Sequence, residues 1–321
     1  MDDGAPHAEA PIDAVFTWVD GAWPGYAELL RRHAADRHDL NPNRYRDNLT
    51  LLKYGLRSLD RHAPWIRQVF VVTCRPQKPD WLDTRAVRVV HHDEFMPASD
   101  VPTFNSFAIL TNLHRIDGLS RRFLYIEDDQ LIGAPIRPSD LFDGQGRPRV
   151  WLKRRSTRAP ADRHDERLSP WNRALAYSNH LLDERYGAKP RRATSHTAIA
   201  IDGESWRAMI ASWPDACART SSSRFRATEN VAPEYLYGHF LIEEQRGVAV
   251  PPMDVQRQSA YHPLNNVVVL QRAGLLRLRL QRPKFLCMND NFGERPNPRV
   301  VALVGAAVER WFPSPSRFEV R

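Results

Sequence analysis

The chain has 321 residues, of which 42% are hydrophobic and 26% charged, the mix of a globular protein with a sizeable core. That composition excludes a disordered, collagenous or disulfide-dense chain, and the longest apolar run, Val300 to Val308, is far short of the roughly 20 residues of a membrane helix. The net charge of +8 comes from 41 Arg and only 5 Lys, an imbalance that reads as the codon bias of a G+C-rich genome. The charge alone therefore does not point to nucleic acid.

Residues 1–10 read as a loose tail without the pattern of a signal peptide. Ile12 to Thr17 is a short apolar strand followed by the turn Asp20-Gly21. Leu49, Leu52, Leu56 and Leu59 then recur at helical spacing, with Asp47 or Asn48 as N-cap and Pro64 as stop. Val69 to Thr73 and Val87 to His91 are two further strands. Ser106 to Ile116 fits a helix, and Phe123 to Ile126 a fourth strand that ends in Glu127-Asp128-Asp129. Strands and helices alternating in this way predict a mainly parallel sheet with crossover helices.

From residue 142 to 192 the pattern weakens, and Gly144, Gly146, Pro148, Pro160 and Pro170 suggest a loop-rich insertion. Trp206, Met209, Ile210 and Trp213 restore a helical stripe, and Tyr235 to Ile242 reads as another helix. Leu276, Leu278 and Leu280 alternate with Arg277 and Arg279, the period of a half-buried strand. Asn297-Pro298 opens a last helix through Val301, Val304, Val308 and Trp311. The three cysteines, Cys74, Cys217 and Cys287, form no CxxC and read as free thiols of a reducing, cytoplasmic compartment. Neither GxGxxG nor GxxxxGK[ST] occurs.

Three acidic sites stand out: Trp18-Val19-Asp20-Gly21, Glu127-Asp128-Asp129 and Leu286-Cys287-Met288-Asn289-Asp290-Asn291. Ligands of open α/β sheets bind beyond the carboxyl ends of the strands, where carboxylates can hold Mg²⁺ or Mn²⁺ against a diphosphate. Helix capping and turn formation would account for the same acids without a ligand. His196 precedes a strand-like run. Arg224 and Arg226 are either a solvated loop or a phosphate clamp.

Several of these stretches together resemble the Stealth family of sugar-1-phosphate transferases. They are Ile12 to Gly21, Arg46-Asp47-Asn48-Leu49 through Leu59, His62 to Arg67, Pro102 to Ser106, His114-Arg115-Ile116, and Phe123 to Asp129. His196-Thr197, Trp213-Pro214, Ser223 to Arg226, Cys287 to Phe292 and Trp311-Phe312-Pro313 follow in the same order. The chain departs from the family wording at Glu127, Leu110 and Ala198. The resemblance implies a single catalytic domain over 11–321 with a Rossmann-like, nucleotide-sugar-transferase-like α/β fold. It also implies a magnesium- or manganese-dependent phosphotransferase of capsular polysaccharide or exopolysaccharide biosynthesis. Such an enzyme moves a sugar 1-phosphate from a nucleotide-sugar, first of all a UDP-sugar, to an acceptor glycan, releasing nucleoside monophosphate. By the same resemblance Asp128, His196, Arg226 and Asp290 are the catalytic candidates, and Asp128, Asp129 and Asp290 the metal ligands. His196 would be an acid/base with a pKa near neutrality. Asp20, Arg46, Asn48, Asn105 and Arg224 would shape the donor pocket. A glycosyltransferase releasing nucleoside diphosphate and a basic, non-catalytic binding module are the alternatives. Polybasic stretches near Lys153 and Lys189 mark an expected peripheral contact with the inner membrane face.

Overall fold

A computed structural model describes residues 10–34, 45–293 and 295–320, so the tail expected at 1–10 lies almost wholly outside the described residues. The strands are β1 (Ile12–Thr17), β2 (Val69–Thr73), β3 (Arg88–His91), β4 (Arg122–Glu127), β5 (Gln130–Ile132) and β6 (Arg149–Val150). The chain continues with β7 (Leu152–Ser156), β8 (Arg192–Thr194), β9 (Ile199–Asp202), β10 (Val248–Ala249), β11 (Ser259–Tyr261) and β12 (Phe285–Cys287). The helices of the first half are α1 (Tyr26–His33), α2 (Leu51–His62), α3 (Ser106–Asn112), α4 (Pro138–Leu141) and α5 (Pro170–Tyr186). Those of the second half are α6 (Gly203–Ser212), α7 (Pro214–Ser222), α8 (Pro233–Glu243), α9 (Pro252–Gln258), α10 (Val268–Gln281) and α11 (Pro298–Trp311).

The central sheet has the order β3-β2-β1-β4-β9; the first four strands are parallel and β9 runs antiparallel on the edge. This is the expected mainly parallel α/β architecture. Its two-sided burial accounts for the continuous apolar runs read in the sequence. Side chains alternate between two cores: Ile12, Ala14, Phe16, Val69 and Val71 pack toward α2, and Val15, Phe70, Val72 and Phe123 pack toward α3, α6 and α8. Each fully buried side chain of this size contributes about 1.5–3 kcal/mol. A smaller sheet, β11-β12-β5, joins the chain after Asp129 to the segment before Asp290 and rests on a third core built with α10 and α11.

Two stretches depart from the sequence reading. Residues 142–192 are not loop throughout: α5 runs 17 residues, and its Ala174, Leu175, Leu181 and Leu182 belong to the main core. Pro170, which suggested a loop, is the helix start. Ser169 Oγ accepts from Asn172 N at 3.3 Å, and Pro170 occupies the first turn, where its missing N–H costs nothing. The Leu-Arg-Leu-Arg-Leu stretch at 276–280 is helix, within α10. Gln271, Leu275 and Leu278 face inward at helical spacing, which leaves Leu276 and Leu280 outside. Gly274 is needed there, since a Cβ would stand 2.1 Å from the His262 ring.

Candidate active site

The sheet order places a topological switch point between β1 and β4, because the chain leaves β1 toward β2 and returns from β3 to the other side. The two strands end level, with Thr17 opposite Glu127, and Thr17 Oγ1 lies 3.1 Å from the Tyr125 hydroxyl. Whatever follows these strands is therefore delivered to one crevice. After β1 comes Asp20, whose Oδ1 accepts from Ala22 N at 2.8 Å. After β4 come Glu127, Asp128 and Asp129.

Asp47, assigned only a capping part from the sequence, also reaches this crevice. Its Oδ2 accepts from Trp18 Nε1 at 3.0 Å and its Oδ1 from Leu51 N at 3.2 Å, at the start of α2. Asn48, beside it, donates through Nδ2 to Asp290 Oδ2 at 2.9 Å, which ties the 288–291 loop to the entrance of α2. Asp290 Oδ1 accepts from Phe292 N at 2.9 Å. Met288 N donates to the Asp129 carbonyl at 2.8 Å, and Asp129 Oδ2 accepts from Asn289 Nδ2 at 3.2 Å and from the Cys287 thiol at 3.3 Å. The structure thus brings Asp20, Asn48, Asp128, Asp129 and Asp290 together, with Asp47, Cys287 and Asn289 as members that the sequence reading missed.

The electrostatics of this crevice are unusual. Burial and the neighbouring Asp129, Asp47 and Glu127 push the Asp128 carboxyl far above the usual carboxylate range. Glu127 is raised by burial and by the charges of Asp129 and Glu234, against the pull of the Arg226 guanidinium. Asp129 is raised by burial although Asn289 and Cys287 hydrogen-bond it, and its Oδ1 has no hydrogen-bond partner among the described residues. Glu234, in the first turn of α8, is another member, and nothing in its sequence context singles it out. It too is raised by burial, with Arg226 acting against the shift.

Arg226 packs over the Phe107 ring at 4.6 Å and donates to Ser106 Oγ at 2.6 Å, at the start of α3. Its position beside Glu127 and Glu234 puts a cation on the rim of the acid cluster. Arg224 lies one step out, with Nη1 3.3 Å from His33 Nδ1. Asn105, expected to line the donor pocket, is fully buried and committed to the protein. It caps α3 by accepting from Phe107 N at 3.1 Å and donates to Ser223 O at 3.0 Å and Asn230 Oδ1 at 2.9 Å. Its part is to fasten the 223–230 loop that carries both arginines. Arg46 is exposed.

His196 stacks on Trp171 at 5.5 Å and lies 5.1 Å from the Tyr261 ring. Tyr261 donates its hydroxyl to Asn289 Oδ1 at 3.0 Å, so two side chains, Tyr261 and Asn289, link His196 to Asp129. The expectation of a near-neutral pKa is not met. Burial, with the Lys153 and Arg155 charges, pushes the imidazole down to about 4, so it is uncharged at pH 7.

The residues expected to hold a metal are Asp128, Asp129 and Asp290. Among the described residues no three His, Cys, Asp or Glu side chains converge as metal ligands. Asp290, whose charge acts on Asp129, is hydrogen-bonded by Asn48 Nδ2 and Phe292 N. The donor set still fits a hard divalent cation. Mg²⁺ characteristically takes one or two carboxylates and fills its shell with water and phosphate oxygens. The unpartnered Asp129 Oδ1 and the uncompensated Asp128 supply that minimum.

A doubly wound sheet with uncompensated carboxylates and a neighbouring arginine at its switch point defines the candidate active site. Three conserved-region models match the chain: Stealth protein CR2 over 44–150, CR3 over 195–243 and CR4 over 276–321. The chain belongs to the Stealth family. It is 35% identical to exopolysaccharide phosphotransferase SCO6023 of Streptomyces coelicolor, over 96% of this chain and 52% of that protein. It is 34% identical to an exopolysaccharide phosphotransferase of Nocardia farcinica (96% and 61%) and 31% to CpsY of Mycobacterium tuberculosis (98% and 60%). The chain therefore spans between half and two thirds of the length of these relatives. Among solved structures, the galactosyltransferase LgtC, in complex with donor and acceptor sugar analogs, aligns over 92% of this chain and 96% of its own. The identity is 12% and the TM-score 0.41, a loose likeness of shape.

Proposed function

We propose that this chain is a phosphotransferase that moves a sugar 1-phosphate from a nucleotide-sugar, first of all a UDP-sugar, to a hydroxyl of an acceptor glycan. The nucleoside monophosphate leaves, and the reaction belongs to exopolysaccharide biosynthesis. The observation that carries this reading is the half-buried Glu127-Asp128-Asp129 cluster, uncompensated except on the Arg226 side, at the β1/β4 switch point. Family membership and the relatives' names support it.

Asp129, through Oδ1, and Asp128 would hold a divalent cation. Bound there, it would neutralise the donor diphosphate. Arg226 faces the same charge from the 223–230 loop and would bind non-bridging phosphate oxygens, where charge is redistributed during transfer. His196, uncharged at neutral pH, has a ring nitrogen able to accept the proton of the attacking hydroxyl, and Trp171 and Tyr261 fix its plane. Asn289 links Tyr261 to Asp129 and so couples the position of the base to the position of the acids. Asp20 and Asn48 border the crevice on the β1 side, where the nucleoside would lie.

Incubation with a panel of UDP-, GDP- and CMP-sugars and chromatographic identification of the released nucleotide tests this. Nucleoside monophosphate is expected. Nucleoside diphosphate would mean attack at the anomeric carbon and a glycosyltransferase.

A further inference from the structure

In the two polybasic stretches expected to meet a membrane, the lysines are otherwise engaged. Lys189 Nζ pairs with Glu243 at 2.7 Å, and Lys153 lies over the Tyr261 ring at 5.6 Å, partly buried beside the active site. Another part of the surface is built for that contact. Between Asp254 and Asp290 the chain contains no acid and six basic residues, Arg257, Arg272, Arg277, Arg279, Arg282 and Lys284. α10 lies in the middle of this stretch.

On α10, Gln271, Leu275 and Leu278 face the protein. The outer line of the helix is not polar. Val269, Leu276 and Leu280 recur at i, i+7 and i+11 and are 72%, 58% and 75% exposed. At 100° per residue they form one stripe diametrically opposite Leu278. Arg272 and Arg279 run along one side of the stripe and Arg277 along the other. An exposed apolar line between rows of arginine is the pattern of a helix that lies in the bilayer interface.

A second, independent feature sits at the same edge. Arg61, Arg279 and Arg282 line a pocket of about 270 Å³ with His62, Leu278 and Trp311. Among the described residues none of the three guanidiniums pairs with a carboxylate, whereas Arg57, Arg67, Arg121 and Arg191 each do. His62 is buried, and its Nδ1 has no hydrogen-bond partner among the described residues. Arg282 holds a left-handed backbone, φ 47°, at the end of α10, a conformation that favours glycine. This pocket lies at the far end of α2 from the acid cluster, about 18 Å away along its 12 residues.

We propose that α10 docks on an anionic lipid surface, with Val269, Leu276 and Leu280 in the interface and Arg61, Arg279 and Arg282 receiving a headgroup phosphate. A second copy of the chain fits less well. A two-fold contact through the stripe would bring rows of arginine against each other with no acid on the helix to relieve them.

Flotation of the full chain with phosphatidylcholine vesicles, with and without phosphatidylglycerol, tests the proposal without donor or turnover, so its failure is separable from failure of the catalytic reading. Binding is expected only with phosphatidylglycerol and weakens with salt. Leu276→Gln/Leu280→Gln and Arg279→Gln/Arg282→Gly should each lower partitioning at least about tenfold. The melting temperature should hold, because these side chains are exposed and glycine suits the Arg282 backbone. Lys189→Gln should change nothing. The proposal is overturned by failure to float, by equal binding to phosphatidylcholine alone, or by loss of binding in Lys189→Gln but not in the α10 variants. A dimer that the leucine substitutions dissociate, with no lipid binding, would overturn it as well.

Discussion

Buried carboxylates occur in two settings in this molecule, and the contrast between them locates function. Glu319, near the end of the chain, is met by the Arg57 guanidinium in two bonds of 2.9 Å and by Ser316 N at 2.7 Å, which hold its carboxyl down to about 2. Asp13, at the start of β1, is held by Arg67 at 2.6 Å and Ser120 N at 2.7 Å. At the other end of the same sheet, Glu127, Asp128 and Asp129 crowd one another, and burial pushes all three carboxyls up. Charge matching is the rule where the protein needs only to stay folded. Its failure at the strand ends is a cost that a bound cation and a diphosphate would remove.

The contrast can be broken in several ways. The largest expected effect is at Asp129. Asp129→Asn keeps an oxygen for Asn289 but removes a charge, so turnover should fall at least about 10³-fold in a nucleotide-sugar assay, with no loss in melting temperature. Next, Arg57→Met leaves the buried Glu319 with Lys53, at 3.4 Å, as its remaining cationic partner. Denaturant unfolding should show a loss of about 3–5 kcal/mol, with turnover per folded molecule unchanged. His196→Ala and Arg226→Ala should each lower turnover at least about a hundredfold while near-ultraviolet circular dichroism is retained. The smallest effect is in pH dependence. Glu319 has a folded pKa of about 2 against 4.5 unfolded, so its contribution is complete above pH 4.5 and is lost as pH falls toward 2. The stability difference between wild type and Glu319→Gln should shrink over that window. A constant difference would mean that packing, not charge, governs the site.

Much of this arrangement is legible in the amino-acid sequence. The parallel strands stand out as β-branched runs, since burial on both faces leaves no polar alternation. The Asn297-Pro298 cap marks α11 correctly: Asn297 Oδ1 accepts from Arg299 N at 3.0 Å. The acids at strand ends are visible because neither packing nor a single helix cap calls for two adjacent Asp directly after an apolar run. What stays hidden depends on distant partners. Asn105 reads as a polar residue in a motif, and only the 223–230 loop folded against it shows that its donors are spent. Glu234 looks like an ordinary first-turn acid until α8 is seen to place it beside Glu127 and Arg226. The lowered pKa of His196 arises from burial and from the charges of Lys153 and Arg155, which are remote in the chain. Five residues of strict Leu-Arg alternation read as a strand, and the helix stays hidden because its apolar residues lie on opposite faces, Leu278 against the α11 core and Leu276 and Leu280 outside.

The central claim is that the strand-end carboxylates are unmatched because they serve a cation. Thermal melting at pH 7.5 with chelator, then with excess Mg²⁺ or Mn²⁺, tests it in the absence of substrate. A cation bound at about 100 times its dissociation constant stabilises by about 2.7 kcal/mol. Wild type should therefore melt several degrees higher with metal, and Asp129→Asn should show little or no shift. Equal behaviour of the two proteins, whether both shift or neither does, would contradict the account.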